Sequence, residues 1–174
     1  LRARLDEVYP LIGTLGTAVD NAALETALGK PIAAFPAYRL VIVEGELRVD
    51  LSDMAGLREA GVEVTSLTHV LEMPPEWLKQ TLGQVNRRED DAVLALNTAL
   101  MTGGVALRLA EGVTLDKPIH IVHLDGTGAA ASAFTRNVIV AETGASATVL
   151  ESFGSLGLKG LLRNAVTEVK LGDK

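Results

Sequence analysis

Beyond Gly104 the apolar residues stop recurring at helical spacing and alternate one by one, and this pattern persists to the end of the chain. Val105, Leu107 and Leu109 alternate with Ala106, Arg108 and Ala110, which places successive side chains on opposite faces of a strand. Gly112 turns the chain, Pro118 to Leu124 reads as a strand, and Val138 to Ala141 and Ala147 to Glu151 are two further runs around Gly144. The text RNVIVAETGA, from Arg136 to Ala145, is echoed by RNAVTEVKLGD, from Arg163 to Asp173. Gly112, Gly144 and Gly172 have similar neighbours. A strand, glycine turn, strand unit recurring at an offset of about 28 residues suits a parallel β-helix, in which each coil buries its apolar face only against the coils beside it. A Greek-key sandwich would use the same strands. The recurrence of Arg-Asn at corresponding strand starts favours the solenoid.

The first hundred residues are patterned differently. Leu1, Leu5 and Val8 sit at helical spacing until Pro10, and Asp20 to Leu28 is a second helix with Asp20 as N-cap and Gly29 just past its end. Tyr38 to Val43 and Glu46 to Val49 form a β-hairpin about Glu44 and Gly45. Ser52 caps a short helix that Gly61 ends, Val62 to Val64 is a brief strand, and Thr68 opens a helical turn. Pro74 and Pro75 precede another helical start at Glu76 and Trp77. Asp90 and Asp91 then introduce a helix that presents Val93, Leu96 and Leu100 on one face. The expected organisation is therefore an α+β N-terminal region, residues 1–101, followed by the first coils of a β-solenoid, residues 102–174. Aromatic residues are only 3% of a chain that is 48% hydrophobic, so Leu, Val, Ile and Ala must fill the interior, as narrow repetitive cores require.

Several classes of function are disfavoured. A formal charge of −6 opposes binding to a phosphate backbone, which needs clustered Lys and Arg. The longest apolar runs fall far short of the ~20 residues that cross a bilayer as a helix. The chain has no Cys, which removes disulfides and thiolate chemistry and fits a reducing cytosol. It starts at Leu1 without an initiator Met or a targeting signal and stops abruptly at Lys174, as a piece of a longer polypeptide would.

No residue constellation demands chemistry. His120 and His123 are three apart on a strand, hence on opposite faces, and cannot easily share a metal; His69 stands alone. Glu142 and Glu151, or Asp116 and Asp125, are acids on neighbouring strands that glycosidic chemistry could use. Such an enzyme on polysaccharide is the alternative function, yet this half offers only Phe134 and Phe153 as aromatics. Ser132, Ser146, Ser152 and Ser155 lie near turns, outside any G-x-S-x-G elbow, and the Gly pairs at 103 and 104 and at 126 and 128 match no nucleotide loop. The expectation is no catalytic, cofactor-binding or metal-ligating residue in this segment.

In combination, several stretches resemble the SufB/SufD family of iron–sulfur cluster assembly proteins. They are ALNTAL at Ala95 to Leu100, Gly103 to Leu109, GVTLDKPIHIVHL at Gly112 to Leu124, TRNVIVAETGASATVLESF at Thr135 to Phe153, and LRNAVTEVKLGD at Leu162 to Asp173. YRLVIVEGELRVDLSDM at Tyr38 to Met54, followed by GVEVTSL at Gly61 to Leu67, is most similar to the small N-terminal domain of SufD. The resemblance implies a right-handed parallel β-helix after the N-terminal region, and a non-catalytic cytoplasmic scaffold that acts with a SufB-like paralogue and the ABC-type ATPase SufC. It implies an iron–sulfur cluster only in the assembled complex. The family's partner-binding and cluster-site residues have no matching positions in this chain.

Overall fold

The computed structural model describes residues 19–85, 90–125, 131–156 and 161–173. The expected helix at Leu1 to Val8 lies outside them. Helix α1 (Asn21–Leu28) starts where the Asp20 carboxylate accepts from the Ala23 N–H at 2.8 Å and ends at Gly29, whose φ of 74° only glycine adopts freely. A single turn, α2 (Lys30–Ala33), follows. The hairpin forms as expected from β1 (Tyr38–Val43) and β2 (Glu46–Leu47), with Glu44 and Gly45 at φ 52° and 96°, the left-handed pair that matches strand twist. Helix α3 (Met54–Glu59) is capped by Asp53 rather than Ser52; the Ser52 hydroxyl instead accepts from the Val41 N–H in β1. Strand β3 (Val62–Ser66) and the short helices α4 (Leu67–Val70) and α5 (Glu76–Lys79) lead to α6 (Ala92–Leu100), whose first turn is capped by Asp91. Strands β4 (Val105–Leu109), β5 (Ile119–Asp125), β6 (Ala131–Ala141), β7 (Val149–Ser155) and β8 (Leu161–Leu171) complete the chain.

These strands build an α+β fold with two mixed four-stranded sheets, ordered β2-β1-β5-β7 and β3-β4-β6-β8, and no closed barrel. The outermost pair in each, β1 with β2 and β3 with β4, is antiparallel. Every other pairing is parallel. From β4 onward the chain alternates between the sheets, and β6, β7 and β8 each lie beside the strand two places earlier. The spatial period is longer than the text echo: Ala106 lies opposite Val138, Ile119 opposite Val149, and Ala131 opposite Leu161. Arg136 therefore faces Val166, and Arg163 faces Ala133. The repeated Arg-Asn is thus shifted along the ladder by an odd number of positions, so the two arginines leave the sheet on opposite faces. Gly112 and Gly144, at φ 71° and 69°, do stack.

Three apolar clusters hold these layers. Leu40, Ile42, Leu107, Leu109, Ile119 and Ile121 fill the space between the sheets, nearly all fully buried. At ~1.5–3 kcal/mol for each large side chain removed from water, this cluster dominates the stability. Val41, Val43, Val122 and Leu124 on the far face of the first sheet pack beneath Leu24 and Leu28 of α1. Ala106 and Val138 on the far face of the second pack beneath Leu67 and Leu78 of α4 and α5. The burial stops at the last strands: Phe153, Val169 and Leu171, all on the side facing between the sheets, are 53%, 45% and 73% exposed.

Candidate functional site

The strand pleat separates the two histidines that the sequence singles out. His120 points to the far face of the first sheet, where its Nε2 and the Ser152 Oγ share a hydrogen bond of 2.9 Å. His123 points between the sheets and stacks on Phe153, its register partner, with ring centroids 4.7 Å apart. Both are 2% exposed. Burial, aided by the nearby Arg39, lowers the His120 pKa. Burial and then Arg163 push His123 down to about 4, so it is a neutral imidazole at pH 7.

Around His123 the space between the sheets turns polar. The Asn137 side-chain N–H group lies 3.4 Å from His123 Nε2, 3.5 Å from Glu151 Oε1 and 3.3 Å from Thr167 Oγ1, and the Asn137 oxygen accepts from the Val105 N–H. Thr167 donates to the same Glu151 oxygen at 2.5 Å. The Arg163 guanidinium sits 5.1 Å from the Phe153 ring and pairs with Asp125. Burial lowers the pKa of that arginine. Four successive strands contribute: β5 gives His123, β6 Asn137, β7 Glu151 and Phe153, and β8 Arg163 and Thr167. Leu40 and Ile42 on β1 occupy the same inward-facing positions with apolar side chains.

A second polar cluster, which the sequence reading missed, lies on the far face of the second sheet. Arg136 and Glu168 are buried and paired at 2.6 Å. The Arg136 Nε donates to Asn97 Oδ1 at 2.8 Å and its Nη2 to Thr98 Oγ1 at 2.7 Å, while both Glu168 oxygens accept from the Gly83 N–H. The Asn97 amide donates to the carbonyls of Thr135 and Asn164. This clasp ties α6 and the turn after α5 across β6 and β8. It also explains why α6 buries Leu94 and Asn97 and leaves the expected contact residue Val93 54% exposed. The Asn97 amide inside ALNTAL, paired with the charged Arg-Asn word, was the available signal.

The remaining candidates are occupied structurally. Glu142 accepts from Arg108 at 2.7 Å, and that bond raises the arginine's pKa. Asp116 accepts from the Tyr38 hydroxyl at 2.7 Å, which holds the carboxylate pKa down and the phenol pKa up. Glu142 and Glu151 have separate partners, as do Asp116 and Asp125, so neither acid pair is brought together for glycosidic work. Ser132 and Ser152 lie within strands, and Ser155 is the last residue of β7. Gly103 and Gly104 allow tight packing: a Cβ at either would collide with the carbonyl of Gly45 or Arg136. Among the described residues no three His, Asp or Glu side chains converge on a metal position, and no helix is long and apolar enough to cross a membrane.

Residues 32–121, just over half of the chain, match the family model for the SufBD protein N-terminal region. The chain belongs to the SufBD family. Within it, the chain is 29% identical over 138 residues to the iron–sulfur cluster assembly SufBD family protein slr0074 of Synechocystis sp.. The match covers 76% of this chain and 28% of that relative, so the chain spans well under half of the relative's length. The SufBD match begins at the end of α2 and runs into β5, covering the hairpin, the capping strand β3 and α6. His123, Asn137, Glu151, Phe153, Arg163 and Thr167 all lie beyond it.

Proposed function

We propose that this chain is part of a non-catalytic, SufD-like scaffold in iron–sulfur cluster assembly, working in the cytoplasm with a SufB-like paralogue and a SufC-like ABC-type ATPase. In this account β4 to β8 are the first coils of a right-handed parallel β-helix. The observation that carries it is the strand geometry: parallel strands alternate between two sheets, one layer upon the next, and β7 and β8 pair with no further strand among the described residues. Phe153, Val169 and Leu171 remain exposed on that side. Such an edge accepts another coil or a matching partner strand, which suits a scaffold. The printed name of the Synechocystis relative supports the cluster-assembly role, and a chain without Cys fits SufD better than a Cys-dependent partner. An iron–sulfur cluster belongs, on this account, to the assembled complex as cargo.

The test is affinity purification of the uninterrupted polypeptide from its own cells, with identification of the bound proteins and an iron assay. Recovery of an ABC-type ATPase and a Cys-containing paralogue in fixed ratio is the expected result. Recovery of the protein alone, with no iron, contradicts the assignment.

A further inference from the structure

The far face of the first sheet is covered unevenly. Toward the ends of β1 and β5, Val41, Val43, Val122 and Leu124 pack beneath α1. Toward the strand starts, Arg39, His120 and Leu150 stand side by side in register on that face. There α2 and the residues just after it leave a cavity of about 330 Å³, bounded by Pro31, Ile32 and Phe35 on one side and by His120, Leu150 and Ser152 on the other. Ile32, Phe35 and Leu150 are 45%, 46% and 38% exposed, so its walls are apolar and open to solvent.

Two buried nitrogens at this place have no hydrogen-bond partner among the described residues. One is Nδ1 of His120, a residue 2% exposed whose Nε2 already shares a bond with the Ser152 hydroxyl. The other is Nε of Arg39, the register partner of His120. The Arg39 Nη2 donates to the Ala33 carbonyl at 2.8 Å, which fixes the guanidinium beneath the end of α2, and no carboxylate pairs with it among the described residues. Asp53, whose N–H donates to the Arg39 carbonyl, directs its side chain to the Gly56 N–H. Glu151, beside the cavity, turns its carboxylate to Asn137 and Thr167 on the other face of the sheet.

We propose that this cavity binds a small amphipathic carboxylate, its apolar body against Ile32, Phe35 and Leu150 and its charged head toward Arg39 and His120. A guanidinium N–H can only donate, so the partner of Arg39 Nε is an acceptor, and the unpaired charge favours an anionic one. His120 can add a second donor: when the Ser152 hydroxyl donates to Nε2, the proton of the neutral ring sits on Nδ1. The volume is at the small end of ligand pockets, which span ~300–1,000 Å³, and suits a short fatty or aryl acid better than a long-chain lipid. The proposal does not depend on the scaffold assignment.

The test is equilibrium dialysis of radiolabelled octanoate against the uninterrupted polypeptide, with octylamine and octanol as competitors. Octanoate should bind at one site and saturate below about 1 mM, and octylamine should compete about tenfold more weakly or worse. A diazirine-bearing octanoate should, on irradiation, label Ile32, Phe35 or Leu150 in peptides read by mass spectrometry. Leu150→Asp should abolish binding and labelling without lowering the thermal midpoint, because the side chain is partly exposed and a carboxylate there repels the probe. Arg39→Gln should weaken octanoate about tenfold and leave competition by octanol unchanged. No saturation up to about 1 mM, labelling elsewhere, equal competition by octylamine, or octanoate binding unchanged in Leu150→Asp overturns the proposal. The competitor and labelling results on the unaltered protein decide it even if a variant fails to fold.

Discussion

Replacing Glu168 by Gln tests whether the buried clasp is structurally essential. Glu168 and Arg136 are 1% and 2% exposed, and the carboxylate is the acid that neutralises this guanidinium. Gln keeps one carbonyl for the Gly83 N–H but removes the charge and turns an NH₂ group toward either Arg136 or Gly83. Removing one partner of a buried ion pair typically costs about 3–5 kcal/mol, because the other charge stays buried and unpaired. Against a total stability of about 5–15 kcal/mol, that is a large fraction. The double variant Arg136→Met with Glu168→Met leaves no charge behind. It leaves only neutral groups without their partner: the Asn97 oxygen and the Gly83 N–H, at about 1–3 kcal/mol each, and the Thr98 hydroxyl, which is exposed to water. It should therefore be less damaged than the sum of its single variants. Urea unfolding followed by the fluorescence of Trp77, which packs against the cluster beneath the clasp, reads both values. A Glu168→Gln cost below about 1 kcal/mol, or a double variant as damaged as the two singles added together, would refute the reasoning.

Burial of His123 and the close packing at Gly104 make two more expectations. The His123 pKa is about 4 in the fold against 6.5 for an ordinary histidine, so between those values the unfolded chain binds a proton that the folded chain does not. The stability contributed by the neutral ring is fully present above about pH 6.5 and declines as pH falls toward 4, by roughly 3 kcal/mol. Urea midpoints for wild type and His123→Asn, compared at neutral pH and near pH 4.5, isolate this slope, which the variant should lack. Gly104→Ala should prevent soluble folding: the residue sits at φ 123° and its new Cβ would collide with the Arg136 carbonyl. Comparing soluble yield with that of Gly83→Ala, where a Cβ meets nothing within 4 Å, checks that sterics rather than φ alone is responsible.

Local signals were legible where local physics decides. The Asp20 cap, the Gly29 stop and the Glu44-Gly45 hairpin are fixed by a side-chain oxygen or a left-handed dihedral, and each is where the sequence places it. Apolar and alternating runs also marked where the strands lie, although β6 begins at Ala131, well before the run from Val138, and β7 (Val149–Ser155) extends past the expected Glu151. Tertiary partners decided the rest. Asn97 rather than Val93 faces the sheet because Arg136 claims its oxygen, a preference invisible in a hydrophobic pattern. The Arg-Asn echo failed as a register marker because one arginine joins the clasp on the far face while the other pairs with Asp125 between the sheets. In the candidate site, the opposite facing of His120 and His123 was readable from strand parity. The convergence of Asn137, Glu151 and Thr167 was not, since it depends on a strand register that only the pairing reveals.

The central claim, a role in iron–sulfur cluster assembly, is tested most directly by deleting the gene for the uninterrupted protein and measuring a cluster-dependent enzyme such as aconitase in extracts, with its polypeptide level measured in parallel. The account predicts that activity falls while the polypeptide persists, that added iron and sulfide restore activity in the extract, and that re-expression restores it in cells. Unchanged activity of cluster-dependent enzymes in the deletion strain, including under iron limitation, would contradict it.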